Sequence, residues 1–226
     1  PRWLPAGVQF RTRNYGGSSA FGVWGADWSA SESDLTAADV KTGTRPVDPE
    51  PFTAVTVWGY DQCDPTQGSR DEVAERAQQN LRLNEQMAVE KEFATDMLLR
   101  AGTPDTATDL VGAVAALESA LAMSGTVGVI HASAAWAAVA AQQQLLVRSG
   151  SSLRTPLGHL WVFGGGYVDN LETHLVATSP VFGWRTDVSV RDALRPERNQ
   201  YAVVAERSVA VGVESVVAAV TIGTTP

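Results

Sequence analysis

Chemistry in this chain would have to come from a short list of residues. His131, His159 and His174 are the histidines, and Cys63 is the lone cysteine. No two histidines stand at the i, i+4 spacing with which a helix presents a metal pair, and one cysteine makes no Cys-x-x-Cys motif. No metal and no cofactor is expected. A nucleophile pair of Cys63 with a histidine has no local motif around it. Gly164-Gly165-Gly166 follows a predicted strand, where a phosphate loop would sit. It lacks the Lys-Ser/Thr of G-x-x-x-x-G-K-[ST], and Val168-Asp169-Asn170 does not read as a helix start. A flexible loop tip, away from any ligand, is the expectation there. Arg2, Arg11 and Arg13 precede the first acid, Asp27, and could touch phosphate, but charges spread so widely read as a solvated face.

The bulk properties narrow the field. At 226 residues the chain is one large domain or two small ones, and 44% hydrophobic residues suffice for a core. A net charge of −8 argues against gripping nucleic acid over the whole surface. The longest apolar run, around Ala132 to Ala141, is too short to span a membrane, and no signal segment opens the chain. The first residue is Pro1 rather than Met, which reads as a processed or truncated chain. A single cysteine rules out an internal disulfide framework and fits a reducing compartment or indifference to redox.

One stretch organises the elements that must position these residues. Ser69–Gly102 contains no proline or glycine between Arg70 and Ala101 and is filled with strong helix formers. Ser69 with Glu72 has capping-box spacing, Asp71 and Glu72 suit the positive end of the dipole, Arg100 suits the negative end, and Gly102 supplies a stop. The rod is polar early and apolar late, so its two halves are expected to meet different neighbours.

Before it, Pro1–Asp27 reads as an extended arm, rich in glycine but carrying Trp3, Phe10, Tyr15, Phe21 and Trp24 as anchors. Trp28–Pro51 is a long polar loop, and Phe52–Tyr60 alternates as a strand on which that excursion returns. After the rod, Thr103-Pro104-Asp105 signals a helix over Thr106–Met123 with Leu110, Val114, Leu117 and Leu121 on one face. A buried strand Val127–Ala132 and a helix Ala134–Val147 capped by Ser133 follow. The remainder turns β: Leu160–Phe163, Leu175–Thr178, Phe182–Val190, a break at Pro196, then Tyr201–Ala205 and Ser208–Ile222 as two strands or one bent strand. The order is α+β, without βαβ regularity and without an internal repeat.

Four segments of the second half carry a resemblance: GTVGVIHAS (Gly125–Ser133), TPLGHLWVFGGGYV (Thr155–Val168), LVATSPVFGWR (Leu175–Arg185) and NQYAVVAERSVAVGV (Asn199–Val213). They resemble the shell domain of HK97-type tailed-phage major capsid proteins, most closely those of phages infecting actinobacteria. The resemblance covers most of the chain from Ser69 onward. It implies an HK97-like capsid fold: N-terminal arm at residues 1–27, E-loop at 28–60, P-domain with spine helix at 61–103, A-domain at 104–194 and returning P-domain strands at 195–226.

What the resemblance implies is a virion structural protein rather than an enzyme. It would self-assemble into hexamers and pentamers of an icosahedral head, built in the host cytoplasm, that encloses double-stranded DNA without reading its sequence. Portal, scaffold or decoration proteins would be its other partners, and no membrane is involved. The alternatives are an encapsulin-type nanocompartment shell of the same fold and, in a different class, a cytosolic α+β enzyme using a histidine and Cys63. Intersubunit contacts are expected at Trp3, Phe10, Tyr15, Phe21, Trp24, Trp28 and Lys41, and an axial A-domain loop at Gly164, Gly165 and Gly166. In the founding member an E-loop lysine is joined to a P-domain asparagine of another subunit with help from a buried glutamate. Lys41, Asn199 and Glu206 are the corresponding candidates, although aligning on Glu206-Arg207 leaves Asn199 one residue out of register. Their ordinary readings are a solvated lysine, a turn residue and an ion-pair partner of an arginine, so non-covalent assembly is the expectation.

Overall fold

The computed structural model describes residues 9–10, 21–39, 41–44, 51–65 and 70–223. Trp3 and Tyr15 lie outside them, as does Ser69 of the expected capping box. Phe10 is described only by its backbone, in strand β1 (Gln9–Phe10). Two single turns of 3-10 helix, Glu32–Asp34 and Ala37–Asp39, precede β2 (Phe52–Thr53) and β3 (Val55–Cys63).

Helix α1 (Arg70–Ala101) then runs for 32 residues, about 48 Å. Gly102 leaves it with φ +69°, the left-handed turn that glycine supplies most readily. Its two halves have different neighbours, as the change in polarity predicts. Val73, Ala77 and Leu81 pack with Val57, Tyr201, Val203 and Val209, whereas Phe93, Ala94 and Met97 pack with Phe52, Tyr167, Leu171 and Val176.

The remaining elements are β4 (Asp105–Ala107), α2 (Leu110–Ser124), β5 (Val129–Ser133), α3 (Trp136–Gln142), β6 (Val147–Ser149), β7 (Ser152–Arg154), β8 (Leu160–Gly164), α4 (Val168–Leu171), β9 (His174–Thr178), β10 (Val181–Arg185), β11 (Ser189–Arg195), β12 (Gln200–Val213) and β13 (Val216–Ile222). They form two sheets. A seven-stranded mixed sheet has the order β4-β13-β9-β5-β8-β7-β6, with β13–β4 and β5–β8 parallel. In the second sheet the long β12 takes β3 on one edge and β10 and β11 end to end on the other, all antiparallel. Leu110, Val114, Leu117 and Leu121, the predicted face of α2, are all buried over the first sheet with Ile130, Trp136 and Val220.

Several expectations need correction. Asp105–Ala107 is a strand. The helix after it starts at Leu110, because Asp109 caps it by accepting the Gly112 N–H at 2.8 Å. Helix α3 ends at Gln142, and Gln144 takes φ +58°, which stops the alanine-rich run well before Val147. The break in the last strands falls at Glu214-Ser215, not at Glu206-Arg207. Val168 does open a helix, a single turn. Among the described residues Phe52–Tyr60 pairs with none of Trp28–Pro51; β3 pairs instead with β12, from Val55↔Val209 to Cys63↔Tyr201. Strands β10 and β11, expected in the A-domain, lie in the sheet of β12, and β13, expected among the P-domain strands, lies inside the seven-stranded sheet.

Candidate subunit-contact surface

Within residues 21–39, short-range hydrogen bonds shape the backbone. The Asp27 carboxylate accepts the Ser29 N–H and hydroxyl, both at 2.9 Å. Asp34 accepts the Ser31 N–H at 2.9 Å and its hydroxyl at 2.6 Å. Asp39 accepts the Thr36 N–H and hydroxyl, both at 2.7 Å. Such side-chain-to-backbone bonds are the reason Ser, Thr and Asp initiate turns. They hold the three carboxyls below the usual range: for Asp27 the Ser29 backbone contributes most, for Asp34 and Asp39 the Ser31 and Thr36 hydroxyls. The Trp24 indole N–H donates to the Asp39 carbonyl at 2.8 Å, and the Lys41 ammonium sits 4.0 Å from the Trp24 ring centroid.

The segment is therefore pre-shaped, yet it does not bury its apolar residues. Phe21 is 83% exposed, Val23 92% and Trp28 95%. Elsewhere Trp58, Leu83, Leu99, Met123 and Leu157 are also exposed. Phe21, Val23 and Trp28 leave apolar surface exposed among the described residues.

The three crosslink candidates are not brought together within the subunit. Lys41 is engaged on Trp24. Asn199 ends the 3-10 turn Pro196–Arg198 at φ +47°, its N–H donating to Pro196 O. Glu206 pairs with Arg191 at 3.1 Å, so its carboxylate has a cation rather than an apolar setting. It also lies seven residues from Asn199 along extended chain, about 23 Å.

The expectation of a flexible tip at Gly164–Gly166 is also corrected. Gly164 and Gly166 are buried, and only Gly165 is exposed. A Cβ on Gly166 would lie 2.3 Å from Met87 O and 2.9 Å from Lys91 N, so the missing side chain lets this turn touch the backbone of α1. The Gly166 N–H donates to the Glu90 carboxylate at 2.8 Å, Lys91 pairs with Asp169 at 3.1 Å, and Asn170 donates to Lys91 O and Thr95.

Behind this clamp lies a buried polar chain that sequence reasoning missed. His131 contacts the Tyr167 hydroxyl through Nδ1 at 3.2 Å and the Thr178 hydroxyl through Nε2 at 3.0 Å. Thr178 spends its proton on Ser179 O, so it must accept from Nε2–H, and Nδ1 then accepts from Tyr167. Burial lowers the His131 pKa to about 3 and, with the nearby Glu90 charge, raises that of Tyr167. The imidazole is a neutral structural group. His159 Nδ1 accepts the Gly128 N–H, and His174 bonds Leu171 O. Cys63 is not among the partners of any histidine, and among the described residues no three His, Cys, Asp or Glu side chains cluster as metal ligands. No described helix is long and apolar enough to cross a membrane.

No protein-family model matches the sequence, and no curated protein is similar to it. A solved structure from Microbacterium phage Oxtober96 is similar to 95% of this chain and 84% of that one, with a TM-score of 0.51 at 14% identity. The chain has the HK97-type fold. Other solved structures of similar shape come from Mycobacterium phage Adephagia (TM-score 0.48, 19% identity, 97% and 84% covered) and from the holo-SrpI encapsulin complex of Synechococcus elongatus PCC 7942 (TM-score 0.49, 14% identity, 76% and 75% covered). Within the HK97-type fold of this chain, the clamp of Gly166 and Asn170 holds the middle of α1 against the seven-stranded sheet, and the outward aromatics lie on the segment that precedes β2.

Proposed function

We propose that this chain is the major capsid protein of a tailed phage, a subunit that assembles through repeated copies of itself into a closed head around double-stranded DNA. The observation that carries this reading is the pre-shaped segment 21–44 with Phe21, Val23 and Trp28 turned to solvent. Burying one such side chain on a neighbour stabilises a contact by about 1.5–3 kcal/mol, and a shell repeats every contact over its lattice. The HK97-type fold supports the same reading. In it α1 serves as the spine, the seven-stranded sheet as the A-domain, the sheet of β12 as the P-domain, and residues 28–51 as the E-loop laid over a neighbour. The net charge of −8 suits a container that holds DNA without adhering to it. Hexamers and pentamers are the expected capsomers, and portal, scaffold or decoration proteins the expected partners in the virion.

Negative-stain electron microscopy of the purified chain, with light scattering over a concentration series, tests the reading. Closed shells of uniform diameter support it. A protein that stays monomeric at high concentration overturns it. DNA inside shells taken from producing cells supports a phage head, and shells filled with a protein cargo point instead to a nanocompartment.

A further inference from the structure

The stretch that carries the outward aromatics begins and ends at one place. β1 pairs antiparallel with β2, Gln9 opposite Thr53 and Phe10 opposite Phe52. Phe21, Val23 and Trp28 lie between the two strands in sequence, on a stretch whose ends that pair brings together. Two residues on each side make a ribbon too short to hold a direction by itself, since even longer isolated hairpins are marginal in water. The direction in which the stretch leaves the subunit is therefore set by whatever ties β2 down.

Packing supplies part of that tie. Phe52 is 4% exposed and shares a cluster with Phe93, Met97 and Val213. Its ring lies so close to β12 that a Cβ on Gly212 would strike it at 2.6 Å. The packing is incomplete on the side of the helix. A cavity of about 240 Å³ opens between β2 and α1, lined in part by Phe52, Thr53, Phe93, Asp96 and Leu99.

Arg100 spans this gap. It stands in the last turn of α1, where a cation suits the helix dipole, and its side chain is 18% exposed. Its Nε donates to the Asp96 carboxylate at 2.7 Å, one turn back on the same helix. Its Nη2 donates to Pro51 O, the carbonyl that leads into β2, at 3.2 Å. Its Cζ sits 3.9 Å from the centroid of the Phe52 ring, a cation–π contact. One planar group thus holds the helix, the backbone entering β2 and the first ring of β2. A lysine ammonium has the charge but neither the flat face nor the fork, so it cannot make all three contacts.

We propose that Arg100 is the positioning residue of the contact segment: it locks β2 to the end of α1 and so fixes the direction in which Phe21, Val23 and Trp28 are presented. The proposal rests on reading that segment as a subunit contact, but its first test needs no shell. Nitroxide labels are placed on Val23→Cys and Leu83→Cys, both exposed sites, in a Cys63→Ser background. Double electron–electron resonance then measures the distance between segment and helix in unassembled subunits. A single narrow distribution is expected with Arg100 present, and one at least about twofold wider in Arg100→Lys. Asp96→Asn removes one of the guanidinium's partners while leaving Arg100 in place. It should widen the distribution in the same sense, and it decides the case in which Arg100→Lys does not fold. Equal widths in parent and variants, or a broad distribution in the parent, would overturn the proposal. In assembly, Arg100→Lys should raise the concentration at which shells form at least about tenfold. A widened distribution with an unchanged threshold would also overturn it. If the unaltered chain forms no shell, the capsid reading falls, while the distances still decide the role of Arg100.

Discussion

Replacing Gly166 by alanine tests whether the turn after β8 is a clamp on α1 or a free loop. The added Cβ would sit 2.3 Å from Met87 O, 2.6 Å from Glu90 Cβ and 2.9 Å from Lys91 N. Two of these are backbone atoms in the interior of a 32-residue helix, so they cannot swing aside as a side-chain tip would. Overpacking of this kind costs about 1–3 kcal/mol. Pushing the turn away also strains the hydrogen bond from the Gly166 N–H to the Glu90 carboxylate, for about 1–3 kcal/mol more. The expected loss is roughly 2–6 kcal/mol, or about 6–18 °C in Tm for a chain of this size. Gly165→Ala is the matched control, because a Cβ there meets nothing within 4 Å. It should change stability by less than about 1 kcal/mol. Urea unfolding of unassembled subunits, followed by circular dichroism, measures both. Equal effects at the two positions would refute the clamp and restore the flexible tip.

Three further outcomes are expected. His131 stays neutral inside the fold to about pH 3, whereas in the unfolded chain it takes up a proton near pH 6.5. Its contribution to stability is complete above pH 6.5 and declines as pH falls toward 3, by at most about 1.4 kcal/mol per pH unit, so His131→Gln should flatten stability against pH in that window; identical slopes would show that the imidazole is hydrated. Trp28→Ser should move subunit stability by less than about 0.5 kcal/mol, since the side chain is 95% exposed, while raising the concentration needed for assembly at least about tenfold; shells forming at unchanged concentration would remove Trp28 from the contact. Mature particles should give a single monomer band on a denaturing gel with or without Lys41→Ala, because the Lys41 amine is held over the Trp24 ring; a ladder of multimers that vanishes in the variant would establish the crosslink.

The legible parts of this fold were those in which one residue's neighbours in sequence decide its conformation. An unbroken run of helix formers ending at Gly102 marked α1 to the residue, and the Leu110, Val114, Leu117, Leu121 stripe marked the buried face of α2. Where partners lie far away in sequence, the reading failed. Nothing local in Phe52–Tyr60 says that its partner is β12, which follows in sequence only after α1 and the whole seven-stranded sheet but its last strand. Gly164–Gly166 looked flexible because glycine permits both a free turn and a close approach, and only the α1 backbone above it separates the two. The His131 chain was invisible for the same reason, since Tyr167 and Thr178 are 36 and 47 residues away.

The point at which the chain passes between its two sheets shows what such long-range contacts achieve. β9 leaves the seven-stranded sheet at Thr178 and leads through Ser179 and Pro180 into β10 of the other sheet. β12 makes the reverse passage through Glu214 and Ser215 into β13. The Ser179 hydroxyl accepts the N–H groups of Glu214 and Ser215 at 3.0 and 3.1 Å, and the Ser179 N–H donates to Ser215 O at 3.0 Å. Both crossings are thus bonded to each other, next to Thr178, whose hydroxyl anchors His131 and through it Tyr167 and the α1 clamp. Two sheets joined by a single strand would hinge. Two antiparallel crossings bonded side by side, with a helix clamped across them, resist bending. In the proposed shell, a subunit whose neighbours hold it by Phe21, Val23 and Trp28 would need that stiffness. The prediction that follows is specific: Ser179→Ala, which leaves the Glu214 and Ser215 N–H groups without their acceptor, should cost about 1–3 kcal/mol. It should also speed amide exchange at Glu214 and Ser215 without changing exchange in α2, which packs wholly on one sheet. Uniformly faster exchange throughout the chain would mean that Ser179 acts on global stability alone and that the crossing is no joint.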